Sequence, residues 1–208
     1  MKYAVLGAAL VAAVGVGQAE AATFNFESAG PSVQQIVTSD FTISYAIDGI
    51  FNFAGGAITQ NADGLGIAGN PDTDPSSIDG FPIASSETLI VTFNGSYFLE
   101  SFRLGNLNAP ICGFLGCAGG DDYALSIDGG TAQQLDITDG NPFMVNQTVS
   151  SFSITALGEF NADDFWIGND SFTLAEFTAS PTAVPLPAAG WLLLAGLGGL
   201  GLVKRRKA

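Results

Sequence analysis

Carboxylates dominate the chemistry open to this chain: it has 20 Asp and Glu against six Lys and Arg, and no histidine. Without histidine the commonest general base and transition-metal ligand are missing, and a Ser-His-Asp triad cannot be built. Carboxylates working alone can hold a hard cation or, as a pair across a cleft, hydrolyse a glycoside. The stretch Asn70-Pro71-Asp72-Thr73-Asp74-Pro75-Ser76-Ser77-Ile78-Asp79 sets oxygen donors at alternating positions in a constrained loop, so Asp72, Asp74 and Asp79 form a candidate calcium site. It is not an EF-hand, because the glycine and distant glutamate of that pattern are absent. For hydrolysis Glu87 and Glu100 are one pair among many, and the sequence prefers none. Trp166, Tyr97 and Tyr123 are the aromatics that a bound sugar could stack on, yet each lies within strand-like alternation, which favours a place in the core.

The charge is unevenly placed. Lys2, Lys204, Arg205, Arg206 and Lys207 sit at the ends, leaving Arg103 as the one cation between Ala22 and Ser180 against nineteen acids, a formal charge of −18. Such a segment repels nucleic acid and anionic membranes and attracts cations. Most of its acids are expected to be solvated surface and turn residues. Its length suits one domain with a real core.

The elements that must position these residues read as strands. Phe41, Ile43, Tyr45 and Ile47 alternate with Thr42, Ser44 and Ala46; Leu89, Val91 and Phe93 alternate with Thr88 and Thr92; Phe152, Ile154 and Ala156 alternate with Ser151, Ser153 and Thr155. Further strands are expected over Thr23–Glu27, Tyr97–Leu104, Tyr123–Ile127, Gln134–Ile137, Asp164–Gly168 and Phe172–Thr178. Asp48-Gly49, Asn94-Gly95-Ser96, Asp128-Gly129-Gly130 and Asp139-Gly140-Asn141-Pro142 read as turns, the Asn94 segment as a tight hairpin. Gly55–Pro82 reads as a long ordered loop with one short strand near Leu65–Ala68. No window is convincingly an amphipathic helix. The expected fold is all-β, an antiparallel β-sandwich of jelly-roll type spanning residues 22–180, with a closed barrel as the alternative.

The two ends carry separate signals. Met1 and Lys2, an apolar run from Ala4 to Val16 and the small residues around Ala19-Glu20-Ala21 make a secretory signal peptide, with cleavage by signal peptidase expected after Ala21. At the other end Val184-Pro185-Leu186-Pro187-Ala188 opens an uncharged stretch that, from Leu186 to Val203, is about 27 Å long as a helix and able to span a bilayer. Lys204-Arg205-Arg206-Lys207 then holds the tail on the cytoplasmic side, leaving the domain outside the inner membrane. Two prolines keep the segment before the span extended and open to a protease. In an exported protein Cys112 and Cys117 favour a disulfide, although the spacing also fits a reactive pair.

The motif, span and basic cluster together resemble the PEP-CTERM class of sorting signals, in the variant whose motif reads Val-Pro-Leu-Pro-Ala; residues 184–188 match it without substitution. The resemblance covers about the last 25 residues. It implies a Gram-negative host, recognition by an exosortase-type membrane protease, and a place in the cell surface or the exopolysaccharide and biofilm matrix.

The domain itself more loosely resembles the β-sandwich ectodomains of such proteins and their carbohydrate-binding-module relatives, through Phe24-Asn25-Phe26-Glu27, Gly64-Leu65-Gly66-Ile67, Ile78-Asp79, Glu87-Thr88-Leu89 and Asp163-Asp164-Phe165-Trp166-Ile167. That likeness implies a structural calcium shared by Glu27 and Asp164, or Asp163. Together these readings point to a non-catalytic envelope or matrix protein. A calcium-dependent, lectin-like module binding extracellular polysaccharide is the second reading, and a secreted glycosidase the third.

Overall fold

The structure, a computed structural model, describes residues 20–49, 55–69, 74–81, 85–107, 111–113, 116–118, 120–157 and 170–182. All belong to one compact unit, Glu20–Thr182. The expected leader, the expected sorting motif with its expected span and the basic tail, Asp72, Asp163, Asp164, Trp166 and the strand expected over Asp164–Gly168 lie outside the described residues.

The domain is all-β and antiparallel. Its strands are β1 (Ala22–Asn25), β2 (Gly30–Val33), β3 (Ile36–Val37), β4 (Phe41–Gly49), β5 (Ala57–Asn61), β6 (Gly64–Ala68), β7 (Ile78–Phe81), β8 (Ser85–Gly105), β9 (Ile111–Gly113), β10 (Gly116–Ala118), β11 (Asp122–Ile127), β12 (Gln133–Asp136), β13 (Phe143–Ala156) and β14 (Asp170–Pro181), with a 3-10 turn at Ile137–Asp139. Twelve strands join in one hydrogen-bonded sheet, and β9 and β10 pair apart from it. The alternation read from the sequence is the reason. Phe41 and Ile43 in β4, Leu89, Val91 and Phe93 in β8, and Phe152, Ile154 and Ala156 in β13 are buried, while their polar neighbours face outward or are half-buried.

Two long strands fold back on themselves. The first arm of β8 pairs with β4 (Phe41 opposite Phe93) and with the second arm of β13 (Phe152 opposite Val91). Its second arm pairs with β14 (Phe177 opposite Phe102) and with the first arm of β13 (Val149 opposite Tyr97). Gly80 lies opposite both Ser86 and Asp170, and Gly105 lies opposite Thr173. Both ends of β8 therefore meet the start of β14, which a straight strand of its length, roughly 65 Å, could not do.

The reversal falls at Asn94-Gly95-Ser96, so the chain turns where the sequence suggests, but a hairpin is the wrong description. The arms do not pair with each other, and neither Asn94 nor Gly95 has the positive φ of a hairpin turn. Asn94 is spent elsewhere: its backbone N donates to the Asp40 carbonyl (2.8 Å) and its amide to the Ser39 carbonyl (2.8 Å).

Two other expectations are corrected. Asp48 and Gly49 are not a turn but the end of β4, opposite Ser86 and Ser85. The stretch read as a loop with one short strand near Leu65–Ala68 holds that strand, as β6, and also β5 and β7. At Gly64 (φ +135°) a Cβ would lie 2.5 Å from the Leu174 carbonyl oxygen, so glycine is what lets β6 close against β14. Asn61 shapes the β5–β6 hairpin by accepting from the backbone N of Asp63 (2.7 Å) and of Gly64 (3.1 Å). Asp128-Gly129 turns as expected, with consecutive φ of 51° and 68°.

Phe177 is the centre of the core. It is fully buried, and its ring lies 5.0 to 5.8 Å from those of Phe24, Phe26, Phe41, Phe93 and Phe152. Each well-oriented aromatic pair contributes about 0.5–1.5 kcal/mol beyond area burial. These rings lock β1, β4, β8 and β13 onto β14.

Candidate functional site

The candidate acids gather at the start of β14. Ser171 lies opposite Asp79, and Asp170 opposite Gly80, across the β7 ladder. Asp79 donates its backbone N to a Glu87 carboxylate oxygen (3.1 Å), Asp122 its N to Asp170 Oδ1 (3.0 Å), and Ser171 its N to Asp121 Oδ1 (3.3 Å). Asp79, Glu87, Asp121 and Asp170 are all buried. Asp74 accepts from the Ser76 N (3.1 Å) and hydroxyl (2.5 Å) and from the hydroxyls of Ser77 (2.9 Å) and Ser171 (3.5 Å). Burial pushes the Asp74 carboxyl up, but the Ser76, Ser77 and Ser171 hydrogen bonds outweigh it and hold the group below its ordinary range.

These groups do structural work: the side chains accept from the buried backbone N–H groups of Asp79 and Ser171, from the half-buried Asp122 N–H and from nearby serines. The structure thus places Asp74 and Asp79 of the proposed loop site at one end of the domain, and adds Glu87, Asp121 and Asp170. Sequence reasoning missed Asp121 and Asp170. Their only signal is position, directly before apolar alternation (Tyr123-Ala124-Leu125 and Phe172-Thr173-Leu174), and nothing there says that the carboxylate turns inward. Among the described residues no group of three acids or cysteines is arranged to hold a metal ion.

Glu27 is engaged elsewhere. It lies just past β1 and pairs with Arg103 (2.6 Å), which also reaches Glu176 (3.3 Å). The Arg103 hydrogen bond, aided by Asn25, keeps the Glu27 carboxyl below its ordinary range. The one cation of the domain thus ties the segment after β1 to β8 and β14. Glu27 is not gathered with Asp74 and Asp79.

The remaining candidates divide plainly. Glu87 is 2% exposed and bonded to Asp79, closed to any substrate, while Glu100 sits on the other arm of β8, so the pair offered for glycoside hydrolysis is not assembled. Tyr97 is buried, stacked on Phe93 (4.7 Å between rings), and donates to Asp40 Oδ1 (2.8 Å). Burial and Asp40 push its hydroxyl up. Tyr123 is buried edge-on to Phe102 and Phe172. Neither ring is a sugar platform. Cys112 and Cys117 are directly opposite each other in the β9–β10 hairpin.

The far end of β14 is different in kind. Ala22 lies opposite Ala179, and the hydroxyls of Thr23 and Thr178 meet at 2.9 Å. Thr182 donates its backbone N (3.0 Å) and its hydroxyl (2.8 Å) to the Ser96 carbonyl. A shallow groove of about 290 Å³ opens beside β13, where Thr131, Gln133 and Gln147 border Phe143 and Val145. No family model matches the chain, and no curated protein matches it. Among the described residues no helix is long and apolar enough to cross a membrane.

Proposed function

We propose that the chain is a non-catalytic exported protein of the bacterial envelope or exopolysaccharide matrix, delivered by its leader and sorted by an exosortase-type protease through Val184–Ala188. Its domain is then a β-sandwich of jelly-roll type, the two arms of β8 and β13 lying in facing layers with the Phe177 cluster between them. One observation carries the reading. The compact unit runs from Glu20 to Thr182, and its first and last strands begin and end at Ala22 and Pro181, the one directly after the expected signal-peptidase cut and the other just before the Val184–Ala188 motif. A domain cut at both places keeps every described strand.

The test is genetic and biochemical. In a host lacking its exosortase, the full-length chain should accumulate in the inner membrane and disappear from the surface and medium. Unchanged release would sink the sorting assignment.

A lectin-like version of this reading has one observation in its favour, the groove bordered by Thr131, Gln133 and Gln147, whose amides and hydroxyl suit neutral sugar hydroxyls. Glycan-array binding that is lost in Gln147→Ala would establish it. Dependence of that binding, or of the melting temperature, on calcium at fixed ionic strength would add the ion, with Asp164→Asn expected to remove the effect.

A further inference from the structure

We infer that the end of the domain carrying both chain exits is its membrane-facing surface: in the tethered precursor it is held nearest the lipid headgroups, and the carboxylate-rich end points away. The inference rests on the reading of the leader and tail as membrane segments. Because β1 and β14 are antiparallel with Ala22 opposite Ala179, the chain before Ala22 and the chain after Ala179 leave side by side and in the same direction. The C-terminal exit is held firmly, since Thr182 still donates twice to the Ser96 carbonyl.

Length then fixes orientation. From Thr182 to Leu186, where the apolar stretch begins, four residues reach about 14 Å at full extension. The domain measures more: β14 alone runs roughly 36 Å from Asp170 to Pro181. A body of that length on so short a tether cannot invert to stand on its other end.

Charge favours the same pose. Asp48, Asp74, Asp79, Glu87, Asp121 and Asp170 all lie at the start of β14 or beside strands paired to it there. Around the exits stand Glu20, Asp40, Asp128 and Glu100, which lies in β8 between the partners of Thr178 and Ala179. Asp40 accepts from the Tyr97 hydroxyl (2.8 Å), and Asp128 accepts from the backbone N of Ser150 (2.7 Å) and Ser151 (2.8 Å). The rest of that end is hydroxyl and amide: Thr23, Asn94, Ser96, Thr178 and Thr182. With a screening length of about 8 Å at physiological salt, acids some 36 Å from anionic headgroups feel little repulsion, whereas the inverted pose would press them into it.

The experiment uses the full chain in vesicles of phosphatidylethanolamine and phosphatidylglycerol (3:1) carrying a headgroup quencher, with no protease present. A genetically encoded fluorescent amino acid replaces Ser96 at the exit end or Ala62 in the hairpin beside the start of β14; both positions are exposed. Quenching at position 96 should exceed that at position 62 several-fold. Equal quenching, or the reverse, in chains that float with the vesicles overturns the orientation alone. Chains that do not float overturn the anchor reading on which it rests.

Discussion

The two ends of β14 are stabilised by opposite means. Toward its C-terminal end Phe177 gathers five rings, and the carboxylates that accept hydrogen bonds there, Asp40 and Asp128, are exposed or half-buried. At its N-terminal end buried carboxylates take backbone N–H groups and serine hydroxyls. Burial of rings is indifferent to pH, whereas the Asp74 carboxyl, which its hydrogen bonds hold below its ordinary range, accepts best while ionised. One strand thus joins an apolar half to a half built on carboxylates, of which Asp74 is sensitive to acid, and the acidity that looks like surface decoration in the composition is partly structural.

The largest effect should come from Phe177→Ala. Removing a fully buried ring among five others costs about 3–5 kcal/mol, and the loss in urea denaturation should be the same at pH 5 and pH 7. A loss below about 1 kcal/mol would mean that the rings are not the centre of the core. Next comes Glu87→Ala, which leaves the buried Asp79 N–H without this acceptor and should cost about 1–3 kcal/mol. If Glu87→Ala is neutral, the carboxylate end is not structural and the contrast between the two ends fails.

The contrast is sharpened by acid. The Asp74 carboxyl is held below its ordinary range in the folded domain, so the stability it contributes is present above the unfolded-state pKa and is lost as pH falls through the lower folded value. Asp74→Asn should therefore be less stable than wild type at pH 7, with the gap closing below about pH 4. A gap that persists unchanged at pH 3 would assign the effect to packing. Reducing the Cys112–Cys117 pair should destabilise by about 2 kcal/mol at most, because the loop is short. The backbone register suits the bond, and thiol alkylation of non-reduced exported protein should find none free. The smallest effect belongs to Arg103→Gln, whose ion pairs to Glu27 and Glu176 are partly exposed; it should lower the melting temperature slightly in low salt and hardly at all in high salt.

Much of this was legible in the sequence, unevenly. Period-two runs placed β4, β11 and parts of β8, β13 and β14, since half-buried strands must alternate. The Asp128-Gly129 turn was legible because positive φ selects those residues. The folding back of β8 was half legible: Asn94-Gly95 marks a reversal, but whether the arms pair with each other or with other strands is set by distant partners such as Asp40. Strand β6 was legible near Leu65–Ala68, whereas β5 and β7 were hidden among the Gly, Asn, Asp and Pro residues that composition reads as loop. Of the site, Asp74 and Asp79 were found as oxygen donors in a loop, while the inward turn of Glu87, Asp121 and Asp170 depends on N–H groups that only the folded ladder presents. Glu27 was read as a cation ligand and lies beside Arg103, a pairing across 76 residues that no local pattern announces.

The most direct test of the account is the mass of the mature protein purified from its native host. The mature chain should show an N-terminus at Ala22, an intact domain through Thr182, and no peptide from the Trp191 to Val203 stretch. A mature pool that keeps Ala208 at its C-terminus would contradict the sorting assignment and leave a permanently anchored protein in its place.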